Sequence, residues 1–102
     1  MARASLIFRE KVIDEAGNIV ELVLWKVPAT SQNTSGVRYR LAFIRRGETV
    51  PAVLYDNHQP KGHHRHIEGI EEPYVFVDVD RLLTDFAADV RWIIGDRKWP
   101  RP

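Results

Sequence analysis

The sequence predicts an α+β fold: a mostly antiparallel sheet of five to six strands with one C-terminal helix packed on one face. Three observations predict it. In "VRYRLAFI", Val37, Tyr39, Leu41 and Phe43 alternate with Arg38, Arg40, Ala42 and Ile44, the period-two signature of a strand with one buried face. Runs of β-branched and aromatic residues are separated by turn chemistry through the N-terminal half. Near the C-terminus Leu82, Leu83, Phe86, Val90, Ile93 and Ile94 fall at helical spacing.

Taken in order, "SLIFREKV" (5–12) and "IVELVLWKV" (19–27) flank "IDEAGN", whose Ala-Gly-Asn is turn chemistry, so the pair reads as a hairpin. "PATSQNTSG" (28–36) has no apolar periodicity and too little apolar surface to fix itself, so it is expected to be a mobile loop able to close over a ligand. The strand at 37–44 then projects Arg38 and Arg40 to the same side. "RRGE" makes a tight turn. In "TVPAVLYDN" (49–57) Pro51 cannot donate a ladder hydrogen bond, so this strand is expected to be an edge or to start late. Downstream of the histidines, "GIEEP" reads as a loop and "YVFVD" as a short strand. The helix "VDRLLTDFAADVRWIIG" follows, with Asp78 as N-cap, Gly95 as C-cap, and Asp80, Asp85, Asp89 and Arg91 on its solvent side. Each large apolar side chain removed from water contributes roughly 1.5–3 kcal/mol, so this stripe against one sheet face supplies most of the core.

The 102 residues are enough for one domain, with 1–96 as folded core and 97–102 as a basic tail trailing over the surface or meeting a partner. Apolar residues at 44% and charged ones at 28% exclude a disordered or fibrous chain. There is no cysteine, which excludes disulfides and thiolate metal sites. The start "MARASLIFREKVIDE" has too short an apolar run for a signal peptide or a membrane span, so a cytoplasmic protein without membrane contact is expected. No internal repeat, Gly-rich phosphate loop, nucleophile elbow or helical zinc-protease motif is present. Net charge is +1, but its distribution is uneven: residues 38–66 carry +4 and residues 67–96 carry −6. That pattern predicts one face made for an anion and another turned away from it.

All four histidines lie in "YDNHQPKGHHRH", Tyr55 to His66. If "KGHHRH" is extended, Lys61, His63 and Arg65 face one way while Gly62, His64 and His66 face the other. Side chains two apart on a strand stand roughly 6.5–7 Å apart along it, near enough to flank one phosphate or to converge on one metal. A metal would need neutral imidazoles and a carboxylate such as Asp56, Glu68, Glu71 or Glu72, and the adjacent Lys61 and Arg65 raise the cost of binding a divalent cation. Metal-free RNA cleavage needs a base for the 2′-hydroxyl proton, an acid for the leaving oxygen, and cations for the phosphorane charge. Histidine serves the first two, since its reference pKa of about 6.5 populates both forms near neutrality; lysine and arginine serve the third. His64 and His66 with Lys61 or Arg65 form such a set, Asp56 can orient a histidine, and Arg38 and Arg40 from a neighbouring strand can bind phosphate. Tyr55 and Asn57 of the same stretch are further candidates for substrate contact. The plain alternative is a solvated turn built by Asp56, Asn57, Pro60 and Gly62. Trp25, Trp92 and Trp99 read as core or interface anchors rather than base-stacking platforms.

On "YDNHQPKGHHRH", the downstream "EEPYVF" and the helix entry "VDVDRLLTDF", the sequence resembles the TumE-like toxins of prokaryotic toxin–antitoxin systems. "VELVLWKVP" and "VRYRLAFI" match in pattern only. The resemblance implies a toxin with a cognate antitoxin, and for a toxin of this size RNA as the target. The positions it carries over are Asp56, His64, Arg65 and His66, with Lys61 and Gly62 matching one branch of the family; His58 and His63 receive no role. The chain lacks the two N-terminal helices of RelE-type toxins. The resulting expectation is an endoribonuclease toxin that works without metal or cofactor, with a homodimer contact through Trp99 and the tail compatible with the sequence. Two other readings stay open: a non-catalytic protein binding nucleic acid or a partner, and a metal-dependent hydrolase using the histidine cluster.

Overall fold

The computed structural model describes residues 3–100. Six strands run β1 (Ser5–Ile13), β2 (Ile19–Lys26), β3 (Val37–Ile44), β4 (Val53–Asp56), β5 (His64–Ile67) and β6 (Ile70–Pro73), followed by the helix α1 (Val79–Ile94). The strands lie in the sheet in chain order, and each pairs antiparallel with the next. The architecture is the α+β sheet-and-helix arrangement expected.

The β1–β2 turn is closed by Asp14, whose carboxylate accepts from the Asn18 backbone (2.9 Å) and side chain (3.1 Å). Gly17 in that turn has φ +86°, a backbone angle that favours glycine, and a Cβ there would displace the flexible Arg46 side chain, whose Cδ would lie 2.9 Å away. The segment expected to be a mobile loop is bonded at two points: Asn33 Nδ2 donates to the Val37 carbonyl (2.9 Å), and Gln59 Nε2, from beyond β4, donates to the Gln32 carbonyl (2.8 Å). The β4 strand begins at Val53, past Pro51, and sits between β3 and β5; of the two expectations for it, the late start holds and the edge does not.

Two elements exchange character after the histidines. "GIEEP" is not a loop, because Ile70–Pro73 forms β6 through a two-residue hairpin in which Glu68 (φ 49°) and Gly69 (φ 81°) both take positive φ. "YVFVD" forms no strand; just past Pro73 the Tyr74 backbone donates to the His63 carbonyl at 3.2 Å. Tyr74 and Phe76 turn inward against the core while Val75 and Val77 stand exposed.

The core fills one sheet face. Tyr39, Leu41 and Phe43 of β3, Val53 and Tyr55 of β4 and Ile67 of β5 meet Leu82, Phe86, Val90 and Ile93 of α1. Asp78 caps the helix, accepting from the Arg81 backbone at 2.7 Å. Asp89 corrects the helix reading: it lies on the packed face and is fully buried, because Tyr55 and Arg65 of the sheet supply donors to it there, while Ile94 is exposed. The start of the tail folds back, with the Trp92 indole N–H donating to the Lys98 carbonyl (2.9 Å) and Trp99 packed against the core cluster under the Arg65 guanidinium (5.0 Å). Residues 101–102 of the tail, like 1–2 at the start, lie outside the described residues. No helix among the described residues is long and apolar enough to cross a membrane.

Candidate active site

Strand register sorts the histidine segment between two faces. Arg40, Asp56 and His64 are successive cross-strand partners on β3, β4 and β5, and Ala42, Leu54, His66 and Glu71 form the next row on the same side. These rows occupy the face that carries no helix. Tyr55 and Arg65, partners in the intervening row, point the other way, toward α1.

On the open face the His64 and His66 rings stand edge to face with centroids 5.1 Å apart. His64 is held at both nitrogens: Nδ1 lies 2.7 Å from the Gly62 carbonyl oxygen and Nε2 lies 3.0 Å from Asp56 Oδ1. Both oxygens are acceptors, so a ring with a single N–H would leave a lone pair facing one of them, whereas a ring carrying both protons satisfies both. Gly62 makes this approach at φ +73°. The His64 side chain is only 9% exposed, against 31% for His66. His66 Nε2 lies 3.8 Å from Glu71 Oε1, and the same oxygen accepts from Lys61 Nζ at 2.6 Å. The Lys61 ammonium, with His66 and His64 behind it, holds Glu71 below the usual carboxylate range, so it stays anionic beside the imidazole pair. Alternation alone would send Lys61 to the opposite side from His64; the turn at Gly62 brings it round to their side.

Beside the pair, across β2 and β3, runs a cleft of about 590 Å³ whose lining includes Trp25, Arg38, Arg40, Asp56 and His58. Trp25 is the cross-strand partner of Arg38 and Val23 that of Arg40. Arg38 Nη2 lies 2.7 Å from His58 Nδ1. Neither Arg38 nor Arg40 enters an ion pair among the described residues, whereas Arg45, Lys61, Arg65 and Arg81 all do.

Of the residues singled out in the sequence, the structure brings together Asp56, Lys61, His64 and His66, with Arg38 and Arg40 along the same face. It does not bring Arg65, Tyr55 or Asn57 there. The Arg65 guanidinium is bonded to Glu72, to Tyr55 Oη (3.1 Å) and to Asp89 Oδ2 (3.0 Å) on the helix side. Tyr55 is fully buried and donates to Asp89. Asn57 is buried and clamps β4 to β3, accepting from the Tyr39 backbone (3.0 Å) and donating to the Val37 carbonyl (2.8 Å). These three fix the strand that carries Asp56, His64 and His66. Sequence reasoning named Glu71 only as one of four carboxylates within reach of a metal; its place beside His66 follows from the two-residue hairpin at Glu68-Gly69 once that turn is recognised.

His63 is a framework group too. Its ring stacks on Phe76 (4.9 Å) and Tyr39 (5.6 Å), and Nδ1 lies 2.8 Å from the Tyr39 hydroxyl. Burial, with His64 nearby, pushes His63 below its ordinary value, so it folds as a neutral ring. A base with a depressed folded pKa stabilises fully above its unfolded value of about 6.5, and stability declines as pH falls below that toward the folded value. The unfolding midpoint is expected to drop between about pH 7.5 and pH 5.5, and His63→Phe, which keeps the stack and removes the titration, to flatten that drop. Equal slopes in thermal melts of the two proteins would contradict this assignment.

Residues 2–94 match the family model described as Toxin TumE. The chain belongs to the Toxin TumE family. No curated protein and no solved structure matches it. TumE membership makes this a toxin-family chain and implies a cognate antitoxin as its partner. It also bears out the resemblance drawn from the histidine stretch and the helix entry, which both fall within the matched residues. Within this TumE chain, two imidazoles, two carboxylates and one ammonium converge on an open sheet face, next to two arginines that enter no ion pair among the described residues. Such a set can accept and donate a proton and bind an anion.

Proposed function

We propose that the protein is a toxin that cleaves RNA by metal-independent transesterification at the His64–His66 pair. The observation that carries this reading is the two rings standing 5.1 Å apart on the helix-free face, beside a cleft lined by Arg38 and Arg40. His66, the more exposed ring, takes the proton of the 2′-hydroxyl; O2′ bonds to phosphorus, the P–O5′ bond breaks, and the proton held between His64 and Asp56 goes to O5′. The products are a 2′,3′-cyclic phosphate and a 5′-hydroxyl. Asp56 orients the His64 ring, and in the acid role the Nε2–H turns from Asp56 to O5′. Lys61, Arg38 and Arg40 hold the phosphates. Arg65, Tyr55 and Asn57 act only through the strand they position.

One observation favours a second reading. Donor atoms of His64, His66 and Glu71 all lie within 4.8 Å of one another, a set that could hold a divalent metal. Lys61 bonded to Glu71 and Asp56 bonded to His64 weigh against it, because two of the three ligands are already engaged.

The test is inducible expression of the wild type against His66→Ala, with growth and bulk RNA integrity followed together. Growth arrest with RNA decay for the wild type, and neither for the variant, is expected. Unimpaired growth with the wild type would remove the toxin reading, arrest with intact RNA the nuclease reading. RNA binding that survives His64→Ala and His66→Ala without any cleaved product would leave a binding protein.

A further inference from the structure

Trp25 is the largest side chain on the open face and has no part in the core. It is half-buried, stands apart from the buried cluster and from the hydrophobic residues packed on that cluster, and forms part of the lining of the 590 Å³ cleft. That volume lies within the roughly 300–1,000 Å³ typical of sites for small organic groups. Beside the indole are cations: the Arg9 guanidinium at 6.0 Å from the ring centroid, Arg38 as direct cross-strand partner, and Arg40 one row further. Arg38 and Arg40 are exposed and enter no ion pair among the described residues. The cleft is linked to the histidine pair through Asp56, which lines it and bonds His64 at 3.0 Å. Val23, Arg40, Asp56 and His64 are successive partners across four strands. At about 4.7–4.9 Å per strand, the far wall of the cleft stands roughly 14 Å from His64.

A flat aromatic ring flanked by guanidinium groups that enter no ion pair among the described residues matches a nucleotide: the ring offers a stacking plane to any base and the cations hold the phosphates on either side. An acidic peptide would use the arginines but not the indole plane, and an apolar ligand would leave both charges desolvated. We propose that this cleft is a base-binding subsite that takes one nucleotide of single-stranded RNA, its base stacked on Trp25 and its phosphates on Arg38 and Arg40. It rests on the cleavage reading above: with the far wall of the cleft roughly 14 Å from His64, the stacked nucleotide lies further along the strand than those flanking the cleaved phosphate. Base-paired RNA cannot offer a free base face to the ring, so the subsite makes the toxin selective for unpaired substrate.

The experiment is equilibrium binding of a 2′-O-methyl oligonucleotide of about eight residues, a length within the range one single-strand site covers, followed by fluorescence anisotropy in EDTA. The 2′-O-methyl groups prevent cleavage, so binding is read alone. Trp25→Ala is expected to weaken binding about 5- to 150-fold, the loss of one stacked base, and Trp25→Phe to recover most of it. Arg40→Ala lowers affinity and reduces the salt slope by about one. The same strand with abasic residues is expected to bind the unaltered protein as weakly as the normal strand binds Trp25→Ala, a result no folding defect could mimic. Equal binding of abasic and normal strands, or Trp25→Ala binding like wild type, would overturn the subsite. Trp25-dependent binding of this strand with no cleavage of its unmodified counterpart would support the subsite and remove the nuclease reading. Cleavage of the unmodified strand with no dependence of binding on Trp25 would do the reverse.

Discussion

Asp89→Ala is expected to destabilise the fold by about 3–5 kcal/mol, because it strips the counter-charge from an ion pair that the core encloses. At about 4–8 °C per kcal/mol for a domain of this size, the unfolding midpoint falls by well over 10 °C. Asp89 is fully buried and accepts from the Tyr55 hydroxyl and from Arg65 Nη1 at 3.0 Å. Burial, with Asp89 beside it, pushes the Tyr55 phenol far above its ordinary value, so it stays a donor at any working pH and needs its acceptor. Without Asp89, Arg65 keeps Glu72 at the rim, but the inner donors are left in the core without an acceptor. Asp89→Asn keeps one acceptor and should lose less. Thermal unfolding followed by circular dichroism measures both. A loss under about 1 kcal/mol for Asp89→Ala would show that the network contributes little, as exposed ion pairs do.

The same network explains why "H-R-H" mixes chemistry with framework. Strand alternation sends the middle residue to the face opposite its neighbours, so Arg65 ties β5 to the helix while His64 and His66 stand together on the open side. An arginine between two catalytic candidates invites a phosphate-binding role on sequence grounds, and its two carboxylate partners argue against that role.

His66→Ala is expected to lower the rate of RNA cleavage by about 10²- to 10⁴-fold, the usual contribution of one general base, while leaving the unfolding midpoint close to that of the wild type. The second half of that statement follows from exposure: the His66 side chain is 31% exposed and touches no core residue on the helix side, whereas His64 is almost wholly covered. His64→Ala is therefore expected to cost both activity and stability, since it removes a donor from the Asp56 carboxylate, which among the described residues keeps only the His58 backbone N–H at 3.2 Å, and from the Gly62 carbonyl. Stopped assays on purified variants with parallel melts separate the two. A His66→Ala protein that unfolds far earlier than the wild type would make its inactivity uninformative and would contradict the placement of this ring outside the framework.

Much of the sheet was legible because its interior strand alternates over Val37–Leu41. The buried set Tyr39, Leu41 and Phe43 and the outward pair Arg38 and Arg40 appear in the structure as the period of two requires. The helix, with its Asp78 cap, was legible for the same kind of reason. What was not legible depended on partners distant in sequence. A carboxylate at position 89 reads as solvent-facing until a tyrosine and an arginine from two strands meet it. Glu-Gly is a weak hairpin signal compared with Asn-Gly, so "GIEEP" concealed β6 and with it the approach of Glu71 to His66. Trp25 carries no local mark that separates a core tryptophan from one lining a cleft; only the sheet order, with the helix confined to the other face, distinguishes them.

The central claim is that two imidazoles on an open sheet face move protons to and from RNA with no metal between them. It is tested most directly by incubating the purified protein, in EDTA, with a single-stranded RNA and with the same strand carrying a 2′-deoxy residue at the cleaved position. Cleavage of the first to a 2′,3′-cyclic phosphate end with a bell-shaped pH dependence, and no cleavage of the second at that position, is the predicted result. Cleavage that disappears in chelator and returns with one divalent metal, or that cuts the 2′-deoxy strand equally well, would contradict it.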